Sequence, residues 1–481
     1  MISPPTKTIL IMAWVMALTV KLHGAETWQY GPLSHAYHPV LDGGLKQEWF
    51  GPLAYHHQTD HGTQWAFNGL VSFLRDDRID ATEWDILYPL LSHERFGQEA
   101  GWKLLNLWSL NQGVGPEGTL KSRWSLFPFF FHDQAVGDQP AKTAWMPFYG
   151  TIGQRFLRDE TQFFLWPLYV KTRKRDIITY NLLAPLLHWR KGNHLKGWQW
   201  LPLGSWETRM SHTRTFADGR VETIPGYRKK SLLWPLFQYQ QLGLGSENPS
   251  TRSALIPFYR YEKSLTRTSW TFPWPLGVTH ASDTQGNYRE WGLPWPAVVW
   301  ADGSGKTTRR LWPLGGVQIT PTQRRAFLAW PLYRYTERQT PETTTSRHQI
   351  LFHLYKHSET IQQNDPTSLS QRWSVWPLFI RQQGEDGSMK TQWPAPLESL
   401  FGDHETINRH YSGLWAIWRS AHDTKRGSHS YSFLWNTWRL DKTPEEKTMS
   451  LLFGLLRYKQ SHQQPLWTLL GLPLNRLKDT P

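Results

Sequence analysis

Ala329-Trp330-Pro331-Leu332-Tyr333-Arg334-Tyr335-Thr336 is one copy of a segment that returns along nearly the whole chain. A proline between apolar residues recurs in Tyr88-Pro89-Leu90, Trp166-Pro167-Leu168, Trp234-Pro235-Leu236, Ile256-Pro257-Phe258, Trp312-Pro313-Leu314 and Trp376-Pro377-Leu378. Cousins without the proline, such as Trp415-Ala416-Ile417-Trp418 and Trp435-Asn436-Thr437-Trp438, fill the gaps. The spacing is mostly about 17 to 24 residues, which makes about 23 units of one internal repeat. Polar runs such as Lys191-Gly192-Asn193, Ala217-Asp218-Gly219 and Gly384-Glu385-Asp386-Gly387 read as turns. Between them lie apolar stretches of about 9 to 13 residues, rich in Tyr, Phe, Trp, Val and Thr, which is the composition of strands. A helix is disfavoured, because a proline in each segment would cost it about 3 kcal/mol.

Parity sharpens the reading. Counted from the proline, Leu233, Pro235, Phe237 and Tyr239 fall on one face of an extended chain, as do Ala329, Pro331, Tyr333 and Tyr335. Trp330 and Leu332 share the other face with the polar Arg334 and Thr336. One face is apolar over about nine residues, or about 30 Å of extended strand, the height of the outward band of a membrane-spanning strand. The expected fold is all-β: an antiparallel up-and-down meander of about 22 to 24 strands. A closed outer-membrane β-barrel removes every free strand edge, whereas a soluble multi-sheet repeat or propeller buries its apolar faces against each other. Three features depart from the barrel pattern. They are the mid-strand prolines, a C-terminus at Lys478-Asp479-Thr480-Pro481 with no terminal aromatic residue, and turns that do not alternate short and long.

Composition sets outer limits. The chain has 481 residues, 30 tryptophans, no cysteine and a formal charge of +14. Without a thiol there is no disulfide scaffold, no Cys-ligated zinc or iron–sulfur centre and no cysteine nucleophile. At 15% aromatic residues disorder is a poor description. Lys7 precedes an apolar run from Ile9 to Val20, and small residues end at Ala25, the layout of a secretory signal peptide. The expected organisation is a signal peptide over 1–25 and a single β-strand repeat domain over 26–481. Loss of Lys7 and Lys21 with the leader takes the charge from +14 to +12. Export also fits the missing cysteines.

The leader and the evenly spaced amphipathic strands resemble Gram-negative outer-membrane β-barrels, and the Trp-Pro-Leu repeat resembles exported bacterial repeat proteins of unassigned function. The resemblance covers the whole mature chain at class level. It carries no motif of a transporter or enzyme family, so no functional residue is transferred by it.

Candidate chemistry is sparse. Ser304-Gly305-Lys306-Thr307 ends like a phosphate-binding loop, but Trp300 stands where the motif needs glycine, so the segment reads as a hairpin turn. His56, His57, Asp60 and His61 form the densest set of weak metal-ligand candidates, with His57 and His61 on one face only if the segment were helical. His404, Glu405 and His410 make a weaker set. No serine elbow and no acid pair stands out, so no catalytic residue, metal or cofactor is expected and the chain does not read as an enzyme. Basic clusters at Lys171-Thr172-Arg173-Lys174-Arg175, Arg228-Lys229-Lys230 and Arg309-Arg310 suit outer-membrane lipid, lipopolysaccharide or anionic glycan better than nucleic acid in an exported protein. The expected function is an outer-membrane β-barrel with a structural or passive-transport role, channel-like and biased to anionic solutes or glycans. The alternative is a periplasmic or secreted carbohydrate-binding repeat protein that stacks sugars on Trp291, Trp295 and Trp300.

Overall fold

The computed structural model describes residues 29–30, 34–114, 120–134, 140–216, 218–402, 404–461, 465–470 and 472–474. The leader expected at 1–25 lies outside the described residues. The described chain is all-β, with 46 strands from Gln29–Tyr30 to Leu472–Pro473 and one α-helix, α1 (Glu405–Trp415). It divides into two compact units, residues 1–97 with 365–481, and residues 98–364.

The strand count is double the expected 22 to 24, and the reason is the proline. Gly226–Leu232 is one strand, residues 233–236 are a turn, and Phe237–Leu244 is the next strand, with Leu232 paired to Phe237. The turn is closed by the Leu236 amide donating to the Leu233 carbonyl at 2.8 Å. Trp330-Pro331 occupies the same place between Gln323–Leu328 and Tyr333–Gln339. Proline has no N–H to give to a ladder, so it belongs where the ladder is interrupted. Among the described residues sixteen X–Pro bonds, including Trp166-Pro167 and Trp330-Pro331, are cis. Each sequence repeat is a proline turn with a short strand on either side, and the nine-residue apolar face is folded back on itself.

Within residues 98–364, successive strands pair antiparallel in chain order. The exception is an excursion in which His212–Thr215 and Val221–Ile224 make their own hairpin, while Gly204–Arg209 pairs directly with Gly226–Leu232. Directly opposed residues lie on the same face of a sheet, so the registers define rows that run across the strands. Beside the proline turns runs Leu182, Leu187, Trp200, Gly204, Leu232, Phe237, Leu255 and Tyr259. Two residues further along each strand runs Tyr180, Trp189, Trp198, Trp206, Lys230 and Tyr239. The same row later holds Tyr261, Trp270, His280, Trp291 and Trp300. A third row, near the polar turns, holds Lys191, Lys196, Thr208, Arg228, Gln241, Thr251 and Lys263.

This apolar face is the exposed one: Leu232 is 61% and Trp189 49% exposed, whereas Thr179 and His188 on the opposite face are 6% and 8% exposed. The opposite face carries Asn181, His188, Gln199, Ser205, Ser231 and Gln238 in one row. Its charges pair across the strands, Arg190 with Glu207 two strands away at 2.8 Å and Arg252 with Glu262 on the adjacent strand at 2.9 Å. A small apolar cluster of Phe131, Ala144, Ile152, Phe163 and Val170 lies on that side too. The usual arrangement of a water-soluble domain, apolar within and polar without, is thus inverted.

The first unit repeats the pattern. Phe67, Val71 and Ile86 are cross-strand neighbours beside the turns, and Trp65, Phe73 and Trp84 form the next row, their rings 4.6–6.0 Å apart. Trp393, Trp418, Phe433 and Trp438 form the corresponding apolar row in its C-terminal strands. Among the described residues no helix is long and apolar enough to cross a membrane.

Candidate functional site

The polar face of the first unit is where charged side chains converge. Met389–Trp393 pairs with Trp418–Asp423, and all of 394–417 is inserted between two adjacent rungs, with Trp393 opposite Trp418. The insertion carries α1, with Glu405 in its first turn. Such an acid favours the N-terminal end of a helix. The most buried side chains of α1 are not apolar. They are Arg409, 5% exposed, and His410, with no exposed surface.

Arg409 has well-defined partners. Its Nη2 donates to Asp85 Oδ2 at 2.9 Å and lies 2.8 Å from Glu83 Oε1, while Nε donates to Ser72 Oγ at 3.3 Å. Asp85 also accepts from Ser92 Oγ at 2.8 Å and Ser72 Oγ at 3.3 Å. The parity that places Phe73 and Trp84 on the apolar face places Ser72 and Asp85 here. The Tyr55 hydroxyl donates to the Arg409 carbonyl at 3.2 Å, the Gly69 amide to the His410 carbonyl at 2.7 Å, and the Tyr411 hydroxyl to the Tyr88 carbonyl. α1 is fastened to residues 55–92 along its length.

A second knot lies between the N- and C-terminal strands of the unit. Arg419 grips Glu48 with both terminal nitrogens, at 2.7 and 2.9 Å, and Nη2 also donates to Asn436 Oδ1 at 2.9 Å. Tyr37 donates to Glu48 at 2.8 Å, and Asn436 Nδ2 does so at 3.3 Å. Arg439 pairs with Asp441 at 2.8 Å and lies over the Tyr37 ring at 5.1 Å. Lys390 holds Asp42 at 2.9 Å. Burial opposes the charge of Asp42, but Lys390 beside it prevails and holds the carboxyl below its ordinary value.

These groups surround a cleft of about 740 Å³, lined among others by His57, Asn68, Arg372, Lys390, Glu398 and Arg409. Its volume suits a small polar molecule. Its chemistry is balanced rather than cationic, because Arg409, Arg419, Arg439 and Lys390 each face a carboxylate. The cleft is a braced polar interior, and the bracing is its clearest property.

Of the sequence candidates, His57 and His61 line the cleft. His56 and His57 are neighbours on the strand Ala54–Thr59 and point to opposite faces, and Asp60 and His61 occupy the following turn. The helical face that would have joined His57 to His61 does not exist. His57 lines the cleft with its ring engaged, Nε2 at 2.7 Å from the Gly43 carbonyl and Nδ1 at 3.0 Å from Gln64. Among the described residues no group of three or more histidine or acidic side chains is arranged to hold a metal ion. His404 precedes α1, Glu405 opens it, and His410 is buried, its ring nitrogens without a partner among the described residues. Ser304 and Gly305 form the turn between Val298–Asp302 and Thr307–Leu311, the expected hairpin.

Trp291 and Trp300 are direct cross-strand partners, 49% and 55% exposed. Trp295 is not beside them; it lies in the turn over Gly292, on the other face. The sequence reading missed α1 and its Arg409. A signal was available in Ile407, Tyr411, Leu414 and Trp415, spaced at i, i+4, i+7 and i+8 in a stretch without proline. No protein-family model matches the chain, and no curated protein matches it.

Proposed function

We propose that this chain is a lipid-seated membrane protein with a structural or passive-transport role, held by the edge of the sheet that carries the proline turns. The observation that carries the reading is the order of rows on the exposed face of residues 98–364: apolar turn tips, then Leu/Phe/Trp, then Trp/Tyr, then Lys/Arg. Apolar, aromatic and charged bands succeed one another in this order at a bilayer surface. Rows two residues apart are separated by about 6.6 Å, so the apolar band with its turn tips is about 12 to 15 Å high. That is about half of a 30 Å hydrocarbon core. The seat is therefore in one leaflet. In this reading the expected leader delivers the protein to the outer membrane, where lipid or lipopolysaccharide covers the apolar rows.

A sugar-stacking role for Trp291 and Trp300 is the second reading, favoured by their direct opposition and exposure. The row in which they lie continues through His280, Trp270 and Tyr261, which an interface belt accounts for and a single sugar site does not.

The test is flotation with phosphatidylcholine vesicles carrying bromine at defined acyl depths. The protein is expected to float, with tryptophan fluorescence quenched most by bromines near the headgroup end of the chains. Protein that stays in the aqueous fraction without detergent, unquenched at every depth, would rule the reading out.

A further inference from the structure

We infer that the third row of the exposed face, carried by Lys191, Lys196 and Arg228, is a binding site for the phosphate groups of anionic lipid headgroups. The inference rests on the single-leaflet seat proposed above and adds a ligand and residues to it.

Lys191 and Lys196 are direct cross-strand partners, and Thr208 and Arg228 continue the row. Like charges placed directly opposite each other destabilise a ladder unless something neutralises them. No side chain here does so. From Ile178 through Gln241, Thr251 and Lys263 to Thr268 and Ser282 the row contains no acid. Among the described residues neither Lys191, Lys196, Arg228 nor Lys263 is in an ion pair. Of the nearby acids, Glu207 and Glu262 belong to the opposite face and are taken by Arg190 and Arg252, and Asp176 accepts from the Asn193 amide at 3.0 Å. All three cations are exposed, so they attract an anion from outside the protein at little desolvation cost.

Position identifies the anion. Lys191, Lys196 and Thr208 stand one row beyond Trp189, Trp198 and Trp206 on the same three strands. With the indoles at the level of the headgroups, ammonium and guanidinium groups about 6.6 Å further out along the strand meet the phosphate layer. Lys191 and Lys196 are one strand apart, about 4.8 Å, and Arg228 lies two strands beyond, about 10 Å. This is an open row without walls. A free phosphate would touch it from one side only, whereas a bilayer presents many phosphates in one plane parallel to it.

The full-length protein is titrated with phosphatidylcholine vesicles and with vesicles of phosphatidylcholine and phosphatidylglycerol in equal parts. The parent and a Lys191→Gln/Lys196→Gln/Arg228→Gln variant are compared, with Lys191→Arg/Lys196→Arg as the charge-keeping control. The parent is expected to prefer the anionic vesicles, and the preference to shrink with added salt. The triple variant is expected to bind them on the order of 100-fold more weakly, to bind neutral vesicles as the parent does, and to be matched to the parent by the arginine control on both. If the triple variant equals the parent on anionic vesicles, the headgroup site is wrong and the single-leaflet seat stands. If the parent binds neither kind of vesicle, the seat itself is wrong and the site falls with it.

Discussion

Residues 98–364 and the unit formed by 1–97 with 365–481 are built from the same short hairpins, yet they close their charges over very different distances. In the former, Lys142 reaches Glu160 and Arg190 reaches Glu207, each on a nearby strand. In the latter, Arg409 reaches Asp85 and Arg419 reaches Glu48, with |i−j| of 324 and 371. The local pairs decorate a ladder that backbone hydrogen bonds already hold. The distant pairs join the two ends of a unit that is discontinuous in sequence. Closing such a loop has an entropic cost that only contacts at its mouth can offset. Hydrophobic packing fills little of this role, because most large apolar side chains of both units face the other way.

The strongest way to break this comparison is to remove one partner from each kind of pair. Asp85→Ala leaves the buried guanidinium of Arg409, 3% exposed along its side chain, with Glu83 as its remaining carboxylate, and is expected to cost about 3 kcal/mol. Glu207→Gln leaves Arg190, 35% exposed, free to meet water, and is expected to cost no more than about 1 kcal/mol. Urea unfolding followed with hydrogen exchange over 405–415 measures both. Equal losses would mean that the distant pair holds nothing together.

A smaller effect sharpens the same contrast at α1. A methyl group on Gly413 would lie 1.9 Å from Asn68 Nδ2 and 2.4 Å from the Pro52 carbonyl oxygen, so the helix approaches the 52–68 segment as closely as backbone allows. Gly413→Ala is expected to cost about 1 to 3 kcal/mol through overpacking and to raise hydrogen exchange in α1. Gly305→Ala, with nothing within 4 Å of its added methyl, is the matched control in 98–364. Exchange in α1 unchanged by Gly413→Ala would show that the helix is not held where the structure has it.

How much of this was open to a reader of the sequence follows from the same contrast. The antiparallel β-meander was legible, because its determinants are local: turn residues, aromatic strands and one proline motif copied along the chain. The strand count was not, since Leu233-Trp234-Pro235-Leu236 keeps the alternating apolar pattern of a strand through the reversal itself. Parity correctly placed Phe237 and Tyr239 on one face, but it could not say that Leu233 and Pro235 belong to a turn. Nor could it find the site. Asp85 and Arg409 lie in ordinary-looking surroundings, Trp84-Asp85-Ile86 and Asn408-Arg409-His410, and their meeting depends on a fold over hundreds of residues. His56, His57, Asp60 and His61 were conspicuous because they crowd together in sequence, and a strand followed by a turn sends His56 and His57 to opposite faces and leaves His57 and His61 on the cleft.

The smallest expected effect concerns His410, and it tests whether the polar interior of the discontinuous unit is tuned as well as braced. The ring is fully buried, 6.5 Å from that of Tyr88 and 4.8 Å from that of Tyr411, and Asp85 and Arg409 are the charges that act on it. Burial is the main influence and pushes its pKa below the ordinary 6.5; Asp85 pulls the other way, and Arg409 reinforces burial. The folded protein thus keeps this histidine neutral where the unfolded chain protonates it. The stability gained is fully present above pH 6.5 and is lost as the pH falls through 6.5 towards the lowered value. Other histidines of the unit, His57 among them, are shifted the same way, so the contribution is isolated by comparison with His410→Phe. Hydrogen exchange over 405–415 is expected to rise on acidification in the parent and to rise less in the variant, because phenylalanine fills the space without taking a proton. Identical pH profiles would show that the protonation of His410 does not act on the helix.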